Sequence, residues 1–275
     1  MAPPKRVLCM MDLSSLGRAS LGVAGQVLAA CGQQACLLPT ALFSSHTGGF
    51  GPVEKQDEAA FATAALAHYA RQGITFHAVY IGYLYGPAQF AAANAALSQY
   101  PNALHVVDPA LGDDGKPYTG LDDDTARAMR QLCARAGLVC PNYTESAMLC
   151  GDAPDAGQAA PALVERRLAR LGENGASVLI TSVPGPAGTY ETWGLSQPEG
   201  EIFRLPSRRV PQRYPGTGDL FCAAVVGRLL HGDTLQAAAQ TAAYFVEQAV
   251  QATYTASAEA RHGVWFEPFL PLLQP

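Results

Sequence analysis

Pro215-Gly216-Thr217-Gly218-Asp219-Leu220-Phe221 carries a glycine turn straight into a nearly all-apolar stretch that runs to Leu230. The spacing predicts a buried helix over 218–230, because apolar residues fall on every face. Gly216 and Gly218 permit backbone angles at which successive N–H groups face one point at the positive end of that helix. A phosphoryl group suits such a point. Asp219, in the first turn, is placed to accept a proton from a hydroxyl attacking phosphorus. The same residues also read as a plain turn whose acid favours the helix dipole, and spacing alone leaves both readings open. No third glycine follows at the dinucleotide-binding step and no GxxxxGK[ST] occurs, so a Rossmann fingerprint and a P-loop are both excluded.

Outward from this turn, short apolar runs alternate with longer Ala-rich stretches. Strands are predicted at 6–11, 34–40, 76–81, 103–107, 138–140 and 176–181. Helices are predicted at 19–30, 57–72, 87–100, 122–136, 158–171 and, after an N-cap at Thr234, to about 253. This cadence predicts an α/β fold with a mostly parallel, doubly wound sheet and helices on both faces. A small antiparallel ribbon is expected over 187–206, turning at Gly188, Gly194 and Gly200. No repeat or linker interrupts the chain, so residues 1–275 read as one domain. Ligands of such sheets bind beyond the carboxyl ends of the strands. That rule collects Asp12, the 44–51 loop, Tyr83, Asp108, Asn142, Thr181 and the turn before Gly218.

Composition narrows the function. The chain has 275 residues, 49% of them hydrophobic, which excludes wholesale disorder. Lys and Arg number 18 against 23 Asp and Glu, a net −5 with no basic block, which argues against a nucleic-acid partner. No apolar run reaches the roughly 18 residues of a membrane helix. The opening Met1-Ala2-Pro3-Pro4-Lys5-Arg6 has no cleavage signature, so no signal peptide is expected. Seven cysteines, an odd number without a CxxC pair, read as free thiols in a reducing cytoplasm.

Two further groups of residues could carry chemistry. Asp108-Pro109-Ala110-Leu111-Gly112-Asp113 and Pro141-Asn142-Tyr143-Thr144-Glu145 place Asp108, Asp113 and Glu145 at strand ends, where carboxylates could serve Mg²⁺. The alternative is a strand terminator and a surface turn. Ser44-Ser45-His46-Thr47-Gly48-Gly49 could offer hydroxyl and imidazole groups to a small polar ligand, or lie solvated. Asp122-Asp123-Asp124 is most simply a helix cap. Arg208, Arg209 and Arg213 precede the glycine turn and read as an exposed basic loop that could also reach nucleotide phosphates.

In their order along nearly the whole chain, these pieces resemble the ribokinase superfamily, and within it the pyridoxal (vitamin B6) kinases. The resemblance rests on Met11-Asp12-Leu13-Ser14 with Gly17, Pro39-Thr40 followed by Ser45-His46-Thr47-Gly48, and Ile81-Gly82-Tyr83-Leu84 with Gln89. It continues through the 108–113 and 141–145 segments, Thr181-Ser182 and Gly216-Thr217-Gly218-Asp219. The Asp-Leu-Ser opening is most similar to the bacterial pyridoxamine kinase branch. The resemblance implies ATP-dependent phosphorylation of the 5′-hydroxymethyl group of pyridoxal, pyridoxamine or pyridoxine. Asp219 would be the base, and Gly216, Thr217 and Gly218 the anion hole. Asp108, Asp113 and Glu145 would manage Mg²⁺; Asp108, Asn142, Glu145, Thr181 and Ser182 would meet the nucleotide. Asp12, His46, Thr47 and Tyr83 would face the vitamer. A monovalent cation is a further cofactor of some relatives, although Cys140 stands where many have Thr. Tyr85-Gly86, Ala110-Leu111 and Asp12 also depart from the family pattern. A homodimer is implied. The rival readings are a hydroxymethylpyrimidine or sugar-like alcohol kinase, and a non-catalytic B6-binding protein.

Overall fold

The computed structural model describes residues 3–119, 121–154 and 159–274. In chain order the elements are β1 (Arg6–Ser14), α1 (Ser20–Ala30), β2 (Gln34–Phe43), β3 (Lys55–Asp57), α2 (Ala59–Arg71), β4 (Ala78–Ile81), α3 (Pro87–Gln99) and β5 (Leu104–Val107). Then follow β6 (Gly112–Asp113), β7 (Lys116–Pro117), α4 (Asp123–Cys133), β8 (Leu138–Val139), α5 (Tyr143–Cys150) and α6 (Pro161–Leu171). The chain continues with β9 (Ser177–Pro184), β10 (Tyr190–Ser196), β11 (Glu201–Ser207), α7 (Thr217–His231) and α8 (Leu235–Thr255). The start expected for α6 at Gln158 lies outside the described residues.

One sheet runs β11-β10-β9-β8-β5-β4-β1-β2-β3, and β6 and β7 form a separate hairpin. β2, β1, β4, β5, β8 and β9 are parallel, while β3 pairs antiparallel with β2 at one edge and β10 pairs antiparallel with both β9 and β11 at the other. The apolar run of β1 follows from covering on both faces. Val7, Cys9 and Met11 pack into one cluster with α1, α7 and α8, whereas Leu8 and Met10 pack into another with α2, α3 and α4. β4 divides likewise, Tyr80 against Val79 and Ile81. The mostly parallel, doubly wound sheet expected from the alternation is therefore present.

The edge ribbon differs in one detail. Gly194 is not a turn; it lies inside β10, where an added Cβ would sit 2.1 Å from the Phe203 ring. Its bare backbone lets the ring of the neighbouring strand lie across the sheet. The chain order reverses at β1, with β2 on one side and β4 on the other, which opens the crevice where such folds bind ligands. Backbone bonds continue past the strand ends there: Gly82 N to Met10 O at 3.1 Å, Asp108 N to Ile81 O at 2.9 Å, Cys140 N to Val107 O at 3.0 Å and Thr181 N to Pro141 O at 2.9 Å. These bonds hold the strand-end residues in register along one edge.

Candidate active site

α7 begins directly from the glycine turn. Gly216 has φ +80°, and a Cβ there would sit 1.9 Å from the Arg18 carbonyl oxygen, so only glycine fits. Gly218 differs: its φ is not positive, and a Cβ on it would meet nothing within 4 Å. Its missing side chain leaves room instead of permitting a turn. The Leu220 N–H bonds the Gly216 carbonyl at 3.0 Å, while those of Thr217, Gly218 and Asp219 have no partner in the described chain. They belong to the wall of a cavity of about 310 Å³ that Asp108, Asn142, Glu145 and Asp219 also line.

Asp219 sits in that wall with Oδ2 accepting the Ser20 N–H at 2.9 Å. Asp108 accepts the Tyr80 hydroxyl at 3.1 Å. Neither carboxylate has a Lys or Arg ion-pair partner among the described residues. Burial, with the negative charge of Asp219 nearby, pushes Asp108 up to about 8. Burial, with Asp12 nearby, pushes Asp219 up, against the lowering effect of the Ser20 N–H. The pair therefore holds a proton far above the ordinary carboxylate range.

Asn142 and Glu145 stand at the same edge but are turned to structure. The Glu145 N–H donates to Asn142 Oδ1 at 2.9 Å and the Asn142 N–H donates to Glu145 Oε2 at 2.8 Å, a reciprocal cap on α5. The Leu111 N–H takes Glu145 Oε1 at 3.0 Å, and Asn142 Nδ2 donates to the Gly112 carbonyl at 2.8 Å. Thr144 Oγ1 accepts the Gly115 N–H at 2.9 Å. Together they moor the β6–β7 hairpin to the helix. Asp113, on that hairpin, pairs with Arg213 at 3.2 Å. Asp108, Asp113 and Glu145, the expected metal set, all line the acidic cavity, but among the described residues no three acidic, His or Cys side chains are grouped closely enough to hold a metal by themselves. The reason is local: two of the three carboxylates already have firm partners.

The Ser-His-Thr-Gly loop also departs from expectation. The Gly48 N–H donates to His46 Nδ1 at 3.1 Å, which leaves the proton on Nε2 to donate to the Arg261 carbonyl at 2.7 Å. Both ring nitrogens are occupied, so His46 shapes the loop and is not free to bind a ligand. Burial lowers its pKa and favours that neutral form. Gly48 lies beside Pro215, bringing the loop against the glycine turn, whereas Thr47 is exposed and lines neither cavity. Asp12 is 3% exposed and accepts the hydroxyls of Ser14 at 2.8 Å and Ser20 at 2.5 Å. Tyr83 lines the acidic cavity, its hydroxyl pushed up to about 12 by burial and by Asp12.

A second cavity, of about 240 Å³, adjoins the first. Thr181, Ser182, Arg213, Thr217 and Gly218 line both. Ser182 holds φ +55°, a left-handed backbone unusual for a side-chain-bearing residue and a mark of functional sites. Arg213 is the single Lys or Arg in the described wall of the acidic cavity. Tyr118, beyond the hairpin, lines it as well, half exposed and beside the carboxylates.

A family model described as phosphomethylpyrimidine kinase matches residues 26–264. The chain belongs to that family. A Bacteroides thetaiotaomicron protein assigned as a phosphomethylpyrimidine kinase and crystallised with pyridoxal is 31% identical, with TM-score 0.93 over 98% of this chain and 96% of that one. The pyridoxal kinase of Lactobacillus plantarum is 33% identical, with TM-score 0.89 over 98% and 96%. The pyridoxal kinase of Burkholderia pseudomallei is 30% identical over 188 residues, which cover 65% of this chain and 63% of that protein's length. The ribokinase-like B6 kinase resemblance read from the motifs thus agrees with the family.

Proposed function

We propose that the protein transfers the γ-phosphoryl group of ATP to the 5′-hydroxymethyl group of a B6 vitamer: pyridoxal, pyridoxamine or pyridoxine. The observation that carries this reading is the juxtaposition of three unpartnered N–H groups at the start of α7 with the carboxylates of Asp219 and Asp108 in one cavity. The N–H groups compensate charge on the transferring phosphoryl, and the helix dipole adds to them. Asp219 takes the hydroxyl proton as that oxygen bonds to phosphorus and the bond to ADP breaks. Its raised pKa brings it closer to the acidity of the group it serves. The second cavity, walled by Thr181, Ser182 and Arg213, takes the nucleotide, and Tyr83, in the wall of the acidic cavity, borders the vitamer side.

Half-buried carboxylates without a cationic partner fit a divalent ion, and Mg²⁺ in phosphate enzymes uses one or two carboxylates together with substrate oxygens and water. Asp108 would hold it here, and bound Mg²⁺ would neutralise charge on the phosphates. The reading places the chain in the cytoplasm, in keeping with seven free cysteines. It includes a homodimer, supported by exposed Leu13 and Leu42, register partners at the end of β1 and β2.

The test is phosphorylation of an alcohol panel with Mg²⁺-ATP. Turnover of at least one B6 vitamer above hydroxymethylpyrimidine and ribose is the expected result. A clear preference for either of those alcohols overturns the vitamer assignment, and no turnover at all overturns the kinase.

A further inference from the structure

We propose that Ser20 is a positioning residue for the base, fixing Asp219 by its backbone N–H while its own hydroxyl is anchored on the buried carboxylate of Asp12. This rests on the kinase reading of Asp219. Ser20 opens α1 with φ +50°, a left-handed conformation at a residue that is not glycine. Such a conformation costs roughly 1 kcal/mol or more and persists only where the surroundings enforce it. Here the enforcement is visible. The Ser20 hydroxyl donates to Asp12 Oδ1 at 2.5 Å, and Asp12 Oδ2 is held by the Ser14 hydroxyl at 2.8 Å. Both Asp12 and Ser20 are buried, at 3% and 6% exposure.

The left-handed turn lets one residue address two carboxylates at once. Its side chain reaches Asp12 on β1, and its N–H reaches Asp219 Oδ2 on α7, 199 residues away in sequence, at 2.9 Å. Asp219 Oδ1 has no partner in the described chain, so this bond selects which oxygen is left to receive the hydroxyl proton. Asp12 enters the site as an anchor, both of its oxygens being occupied by serine hydroxyls. Misplacing a catalytic group by about 1 Å can cost a hundredfold in rate.

Ser20→Gly and Ser20→Ala separate positioning from strain. Both remove the hydroxyl and keep the N–H, and glycine also relieves the left-handed backbone. If Ser20 were only structural, Ser20→Gly would lose stability with the Asp12 hydrogen bond but keep its kcat and its acid limb. Positioning predicts that kcat falls about tenfold or more in both variants, with the KM for ATP within about twofold. The acid limb of the kcat–pH profile should move to higher pH, because a loosened N–H bond no longer favours the carboxylate. The groups around Asp219 are Asp12 from β1, Tyr80 from β4, Asp108 beyond β5 and Tyr118 beyond β7, with Arg213 in the same cavity wall, and all are unchanged in the variants. Ser20→Gly with kcat within twofold and an unmoved acid limb overturns the proposal while the unmutated protein turns over. No turnover by the unmutated protein overturns the kinase reading and this proposal together.

Discussion

Asp219→Asn should make the protein more stable and nearly inactive at the same time. Asn is isosteric and its Oδ1 can still accept the Ser20 N–H, so the geometry of the turn survives. In the folded chain the carboxyl of Asp219 is pushed from 3.8 to about 7 by burial, with Asp12 adding to the rise. At about 1.4 kcal/mol for each pH unit, an isolated, fully buried group would destabilise the fold by about 4 kcal/mol once ionised. Partial solvent contact screens this to about 2 kcal/mol. The sign follows from proton binding. Between pH 3.8 and about 7 the folded state keeps a proton that the unfolded chain has lost, so stability falls as pH rises through that window and is level above it. Asn does not titrate and escapes the loss. The Asp219→Asn protein should therefore melt at about the same temperature as the unmutated chain near pH 4 and about 4 °C higher near pH 8. Turnover should drop about a thousandfold, as expected for a general base. Calorimetry across this pH range, paired with steady-state kinetics, checks both halves. A variant that melts lower at pH 8, or keeps more than a tenth of the turnover, refutes the assignment of a buried, charge-stressed base.

Four other outcomes follow from named contacts. Gly216→Ala drives a methyl against the Arg18 carbonyl oxygen from φ +80°, so it should lose about 2 kcal/mol or more along with turnover; melting within 1 °C of the unmutated protein, on the order of 0.5 kcal/mol or less, contradicts the close approach. Gly218→Ala meets nothing within 4 Å and sits in a helix, so stability should rise by about 0.5–1 kcal/mol while the KM for ATP rises about tenfold; unchanged kinetics remove Gly218 from the phosphoryl path. Arg213→Gln should raise the KM for ATP about tenfold, roughly the worth of one charge-assisted phosphate contact, with little change in the vitamer KM, and the reverse pattern would refute a place beside the nucleotide. Mg²⁺ without nucleotide should raise the melting temperature more at pH 8.5 than at pH 5, because Asp108 ionises only above about 8; an Asp108→Asn protein that keeps this gain shows that the ion binds elsewhere.

What the sequence discloses and what it hides divide along physical lines. Strand-end positions are legible, because a doubly covered parallel strand is a continuous apolar run and the polar residues at its carboxyl end lie at the edge: Tyr83, Asp108 and Asn142 follow β4, β5 and β8, and Asp12 and Thr181 lie within the carboxyl-terminal halves of β1 and β9. The segment Asn142-Tyr143-Thr144-Glu145 supports two readings, a ligand pair and a capping box, and the capping box wins because both Glu145 oxygens find backbone N–H donors. The short helix α5 behind it has no amphipathic period to announce it, being buried at seven of eight positions. β3, β6 and β7 are two or three residues long and exist only through their partners. His46 reads as a free imidazole until the backbone carbonyl of Arg261, 215 residues away, accepts a hydrogen bond from its Nε2–H. Ser20 carries no signal at all, since a serine with a positive φ cannot be told from any other serine before the fold exists.

These elements together explain why the acids stay where they are. Two carboxylates without a cation, together with left-handed backbone at Ser20 and Ser182, would relax if α7 could withdraw from α1. It cannot: Leu220, Ala223, Ala224, Val225 and Val226 are fully buried, and Gly227 lets α7 approach so close to α1 that a Cβ would sit 2.5 Å from Cys31. Interiors of this density do not yield by the ångström that would separate Asp219 from Ser20. The apolar helix thus holds the charge stress in place instead of dispersing it. What relieves the stress must arrive from outside, as positive charge beside Asp108 and as a hydroxyl proton for Asp219. On the proposed reading, a divalent cation held by Asp108 and an attacking alcohol would supply both.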